Sequence, residues 1–146
     1  MALGSLLAQV LGRGGVLLLE GPLGIGKTSL TKAICADLGV TDEVTSPTFD
    51  LLHLYDAPHV TVYHVDGYRI EDPHEWEILD LPAPEQTGVV LIGEWSRALQ
   101  PLYPERIDVQ MAFCPSGERL VDVTAAGERL SRRIHEEWER MGWALK

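Results

Sequence analysis

Apolar residues recur along this chain with two spacings, and the change from one to the other outlines the fold. Leu3, Leu6, Leu7, Val10 and Leu11 fall on one helical face, and Gly12 to Gly15 end that helix. Val16 to Glu20 is a short apolar run with strand character. Leu30, Ile34 and Leu38 share a second helical face, which opens at Lys27 and stops at Gly39. Val40 to Ser46 reads as a polar connection. Pro47 biases Ser46 to an extended form, and Phe49 to Tyr55 reads as a strand. Ala57-Pro58 marks a turn before Val60 to Asp66, a strand with β-branched and aromatic content. Asp72-Pro73 predicts a helix start, with Asp72 as N-cap and Pro73 in the first position. Leu81 to Pro84 breaks the chain.

Gly88 to Gly93 encloses Val-Val-Leu-Ile, which suits a strand buried on both faces of a parallel sheet. Ile107, Val109 and Met111 alternate with polar residues, and Leu120 to Thr124 follows the turn Pro115-Ser-Gly117. These two segments predict a hairpin at the sheet edge. Leu130, Ile134, Trp138 and Met141 line one side of a last helix. Strands alternating with helices through Gly-rich turns predict an α/β fold of three layers. The sheet is expected to be mixed and mostly parallel, with helices on both faces.

One stretch adds chemistry to this outline. The first strand runs into Gly21-Pro-Leu-Gly24-Ile25-Gly26-Lys27-Thr28, which has the form G-x-x-x-x-G-K-[ST] of a phosphate-binding loop. Its glycines let successive N–H groups point inward at one anion. Lys27 carries a point charge toward the β and γ phosphates of a nucleotide, and Thr28 offers a hydroxyl to Mg²⁺. The helix that opens at Lys27 adds its positive end. Strand, loop and helix in that order are the context the motif requires.

A triphosphate site also needs an acid for the metal and a group to orient water. Asp66 and Glu94 each end an apolar strand, where residues of open α/β sheets line the ligand crevice. A lone strand-end acid more often caps a loop; beside a phosphate loop, both are expected to take part. Asp80 sits next to Pro82 and is expected to be solvated. His64 lies two residues before Asp66, faces the same side, and is expected to be packed and hydrogen-bonded. Trp95 is either a packed aromatic or an anchor for a partner.

Length and charge narrow the function. With 146 residues the chain is expected to form one domain, residues 1–146. No apolar run reaches membrane-spanning length, and the N-terminus lacks a secretory signal pattern. Cys35 and Cys114 read as two buried thiols in a reducing cytoplasm. A net charge of −10 with no basic stripe gives no generic attraction to a polyanion. If nucleic acid matters, a partner holds it.

Four motifs in order complete a pattern: Gly21 to Thr28; Ser46-Pro47-Thr48-Phe49; Tyr63-His64-Val65-Asp66-Gly67-Tyr68-Arg69; and Leu91-Ile92-Gly93-Glu94-Trp95. Together they resemble the TsaE (YjeE) family of small bacterial P-loop ATPases over nearly the whole chain. The resemblance implies a P-loop NTPase fold and a role in the threonylcarbamoyladenosine modification of tRNA. It implies ATP and Mg²⁺ as cofactors and the TsaD–TsaB complex as partner, with tRNA reached only through that complex. Gly24, Ile25, Gly26, Lys27, Thr28 and Ser29 would wrap the phosphates, and Thr28 would bind Mg²⁺. Glu94 would serve the metal and the hydrolytic water, with Asp66 in the metal's shell. Thr48 matches an element that senses the γ-phosphate, and Gly117 matches the place where the family approaches the nucleotide from the base side.

The chain departs from the family pattern at three places. It begins almost inside its first helix, Gly67 replaces a larger apolar residue, and Ser96 replaces the common proline after Glu-Trp. Two other readings share the motif: a small-molecule kinase on the same fold, and a nucleotide-dependent switch without useful turnover.

Overall fold

The computed structural model describes residues 2–47, 50–83 and 87–142. Helix α1 (Ala2–Val10) leads into strand β1 (Gly15–Glu20) and helix α2 (Lys27–Leu38). Strands β2 (Leu52–Asp56) and β3 (Thr61–Asp66) follow, then the one-turn helix α3 (Glu75–Ile78) and strand β4 (Val89–Glu94). A 3-10 turn over Arg97–Leu102 precedes strands β5 (Arg106–Phe113) and β6 (Arg119–Ala126), and helix α4 (Glu128–Arg140) ends the described chain. The six strands form one sheet in the order β2-β3-β4-β1-β5-β6. The three inner pairings are parallel, and the two edge pairings, β2–β3 and β5–β6, are antiparallel hairpins. The fold is therefore α/β with a mixed, mostly parallel sheet, as its sequence pattern predicts.

Burial follows the two-residue period of the strands. Leu17 and Leu19 of β1, Val90 and Ile92 of β4, and Ile107, Val109 and Met111 of β5 face one way. They pack against Leu6, Leu7 and Val10 of α1, Leu30 and Ile34 of α2, and Leu130 of α4. Val16, Leu18, Val65 and Leu91 face the other way, onto Leu99 and Tyr103, with Trp76 and Leu79 against them. The layers are unequal: three full helices cover one face, and one helical turn with a 3-10 turn covers the other.

The boundaries differ from expectation where the backbone turns left-handed. The second strand begins at Leu52, because Leu51 at φ 67 donates its N–H back to the Pro47 carbonyl instead of pairing in the sheet. Phe49, expected to open that strand, lies outside the described residues. The helix expected from Asp72 amounts to Glu75–Ile78, stopped where Asp80 turns to φ 50. The helix N-cap is His74 and not Asp72, which instead accepts the His74 N–H at 3.0 Å in the turn that precedes the helix. The turn over Arg97–Leu102 has no apolar period and contains Pro101, so the sequence pattern gave no sign of it. Cys35 is buried, whereas Cys114 is half-buried rather than fully buried. Among the described residues no helix is long and apolar enough to cross a membrane.

Gly67 and Ser96 each meet a specific local contact. A Cβ on Gly67 would collide with the Trp95 carbonyl oxygen and the Trp76 ring. Ser96 donates its N–H to Glu20 Oε1 at 2.9 Å, a bond that proline cannot make. Gly67→Ala is thus an overpacking change against main chain. It should lower stability by about 1–3 kcal/mol, read as a fall in thermal midpoint. An unchanged midpoint would mean that this contact relaxes freely.

Candidate functional site

The strand ends of β1, β3 and β4 converge beside the start of α2, and the parallel register decides which side chains meet. Glu94 is level with Leu19 of β1 on one side and with Asp66 of β3 on the other. Both acids share the parity of Val62, Val90 and Ile92, so they face the layer that contains α2. Residues 21–26 join β1 to α2. Gly26 caps the helix at φ 113, a left-handed conformation that a side chain would strain.

The acids and the loop enclose a cleft of about 350 Å³. Gly24, Gly26, Lys27, Thr28, Ser29, Asp66 and Glu94 line it, together with Ser46, Tyr68 and Trp95. Seven of the expected site residues therefore meet at one place. Ile25 is fully buried and does not line the cleft, so only its main chain can serve there. Gly117 lies at the β5–β6 turn with φ 88 and does not line the cleft. Thr48 lies outside the described residues.

The charged groups are fixed by a short network. Glu94 is 3% exposed, Asp66 5%, Lys27 5% and His64 0%, so these charges are largely withdrawn from bulk water. Glu94 Oε1 accepts the Thr28 hydroxyl at 3.3 Å, and Oε2 lies 2.5 Å from His64 Nε2. His64 is packed and hydrogen-bonded as its position predicts, and the partner is the strand-end acid itself. Its Nδ1 is buried with no partner among the described residues. Asp66 accepts the Ser46 hydroxyl at 3.2 Å and the Tyr68 N–H at 2.9 Å.

Lys27 Nζ donates to the carbonyls of Gly21 at 2.6 Å and Pro22 at 3.0 Å, and lies 4.6 Å from the centre of the Trp95 ring. Burial pushes its pKa below the ordinary lysine value, while Glu94, Asp66 and Glu20 act in the opposite direction. Burial likewise raises the Glu20 carboxyl, against the Ser96 N–H and the Arg97 charge.

Three residues in this network received no site role from the sequence. Ser46 opened the Ser-Pro-Thr-Phe motif with no role of its own, yet its hydroxyl donates to Asp66. Glu20 was the last residue of the first strand, and its tie to Ser96 is a contact between distant segments. Trp95 was open between two roles. It sits at φ 52, stacks near Tyr68 with ring centres 5.1 Å apart, and roofs Lys27. A larger cleft of about 640 Å³ adjoins the first, sharing Tyr68 and Trp95 and reaching Trp76 and Arg97.

Chemically the cleft is lined by the loop main chain, one ammonium, two carboxylates and the hydroxyl residues Thr28, Ser29, Ser46 and Tyr68. Hard oxygen donors of this kind suit Mg²⁺, which takes one or two carboxylates and leaves its other positions to water and phosphate. No cluster of three or more His, Cys, Asp or Glu residues that could hold a metal occurs among the described residues. The Thr28, Glu94 and Asp66 side chains contribute oxygens to the cleft lining.

Comparisons with known proteins agree with this geometry. Residues 1–121 match the family model described as "Threonylcarbamoyl adenosine biosynthesis protein TsaE". The tRNA threonylcarbamoyladenosine biosynthesis protein TsaE of Bacillus subtilis (strain 168) is 39% identical over 136 residues, covering 92% of this chain and 85% of the relative. The protein of the same name from Nostoc sp. (strain PCC 7120 / SAG 25.82 / UTEX 2576) is 35% identical, covering 84% and 77%. Among solved structures, the crystal structure of Bacillus subtilis YdiB superposes with a TM-score of 0.72 at 28% identity, covering 96% of this chain and 88% of that one.

Proposed function

The chain belongs to the TsaE family of tRNA threonylcarbamoyladenosine biosynthesis, and from that premise we propose that it binds ATP with Mg²⁺ in the cleft at the α2 N-terminus and hydrolyses it. In this reading hydrolysis drives turnover of the TsaD–TsaB complex, and tRNA is met only through that complex. One observation carries the proposal. Glu94 is buried, held by His64 and Thr28, and set beside Asp66 within the cleft lined by the phosphate loop.

Each side chain then has a task. The loop N–H groups and Lys27 bind the phosphates, and Lys27 exchanges its two carbonyl partners for phosphate oxygens. Thr28, Asp66 and Glu94 supply the oxygens that would hold Mg²⁺, whose charge would offset that developing on the phosphates. Glu94 orients the attacking water and accepts its proton as the γ-phosphorus leaves ADP. His64 keeps the Glu94 carboxylate pointed into the cleft.

The test is phosphate release from ATP by the full chain, alone and with TsaD and TsaB. Slow turnover alone and several-fold faster turnover with both proteins is the expected outcome. Phosphoryl transfer to a small hydroxyl acceptor in place of water would instead favour a kinase. Pathway output that stays normal when phosphate binding is abolished would reject the proposal.

A further inference from the structure

The flank of the loop opposite the acids carries a cation with no role so far. β1 lies between β4, which bears Glu94, and β5, whose far end continues into the β5–β6 hairpin. That hairpin comes alongside the loop: a Cβ placed on Gly21 would lie 2.8 Å from the Met111 carbonyl oxygen. Arg119, the first residue of β6 and the register partner of Phe113, reaches further. A Cβ placed on Gly26 would lie 2.9 Å from Arg119 Nη1. The guanidinium thus hangs over the residue that caps α2. Among the described residues it has no hydrogen-bond or ion-pair partner.

We propose that Arg119 is a phosphate-binding residue of the nucleotide site, gripping the α and β phosphates from the side opposite Asp66 and Glu94. This rests on the reading of the cleft as a nucleotide site. The cleft's own charge is one lysine against two acids, so a polyanion entering it needs further positive charge. Lys27 cannot serve both flanks, because its ammonium lies under Trp95, on the side where Asp66 and Glu94 stand. A guanidinium is suited to the other flank: it is always charged, and its planar fork matches two phosphate oxygens. The competing account is that Arg119 is an edge-strand charge that keeps the hairpin from pairing with other chains.

The two accounts separate in calorimetry of the full chain with ADP and with ATP, each with Mg²⁺. Arg119 is exposed, so Arg119→Ala should keep the thermal midpoint of the parent protein. Its affinity for ADP and for ATP should fall alike, by about tenfold, the effect of losing one charge-assisted hydrogen bond. Arg119→Lys should recover part of that loss, and turnover at saturating ATP should change by less than about twofold, because the lost contact is the same in ground and transition states. Unchanged ADP affinity in Arg119→Ala would overturn the inference. So would a loss confined to ATP with falling turnover, which would place the guanidinium on the γ-phosphate. Lys27→Ala serves as the reference. If it abolishes binding while Arg119→Ala does nothing, the nucleotide site stands and only the role of Arg119 fails. If the parent protein takes up neither nucleotide, both readings fail together.

Discussion

Glu94→Gln should stop ATP hydrolysis while leaving ATP binding nearly intact. The amide has the shape of the carboxylate, can still accept the Thr28 hydroxyl, and can donate to His64 Nε2 in place of accepting from it. The strand end and the cleft should therefore keep their form. What disappears is the negative charge and the basic oxygen. A water beside the γ-phosphate then has no group to take its proton, and the metal loses a charged donor. Loss of a positioned base typically costs about 10²–10⁴-fold in rate, or roughly 3–5 kcal/mol of barrier. Single-turnover phosphate release measures the first quantity and calorimetry the affinity. Hydrolysis that survives within about tenfold of the parent would remove Glu94 from the chemistry. Asp66, already satisfied by Ser46 and by the Tyr68 N–H, would then be the acid left beside the loop.

The pairing of those two acids was legible before any coordinates. Each closes an apolar strand, and parallel strands deliver their last residues to one crevice. Gly26 and Lys27 were legible for the same kind of reason, since the left-handed cap and the helix start are local demands on local residues. The segment 97–102 was not, because a 3-10 turn with an internal proline has no period to read. Contacts between distant segments were also out of reach. Nothing in the spacing of Glu20 and Ser96, 76 residues apart, says that one accepts the other's N–H. Arg119 is the extreme case. On a strand pattern it is one charged residue on an exposed edge. Only the order of strands β4, β1 and β5 puts it over the loop, on the side away from the acids.

Gly67 and Ser96 show how local rules give way to packing. Each lies against the same turn after Glu94. Gly67 leaves room for the Trp95 carbonyl, and Ser96 supplies the N–H that Glu20 accepts. Together they hold Trp95 at φ 52, where its ring covers the Lys27 ammonium.

The complementary large effect belongs to Lys27. Lys27→Ala should abolish useful nucleotide binding and should leave the fold standing. Without nucleotide the ammonium is satisfied by two carbonyls of its own loop and by the face of Trp95. Among the described residues its ammonium makes hydrogen bonds only within its own loop, so its removal should leave the sheet and both packed faces in place. With nucleotide, those bonds are exchanged for phosphate oxygens, and charge-assisted bonds of this kind contribute about 1.5–3 kcal/mol each. Removing the ammonium should cost about 2–4 kcal/mol of binding, or roughly 30- to 1,000-fold in Kd. The loss should appear for ADP as well as ATP, because the β-phosphate is common to both. A preserved thermal midpoint without nucleotide, combined with the loss of the stabilisation that nucleotide confers on the parent protein, is the signature expected. Retained affinity in Lys27→Ala would mean that the main-chain N–H groups hold the phosphates unaided. The lysine, under its tryptophan roof, would then be a structural part of the loop rather than its working charge.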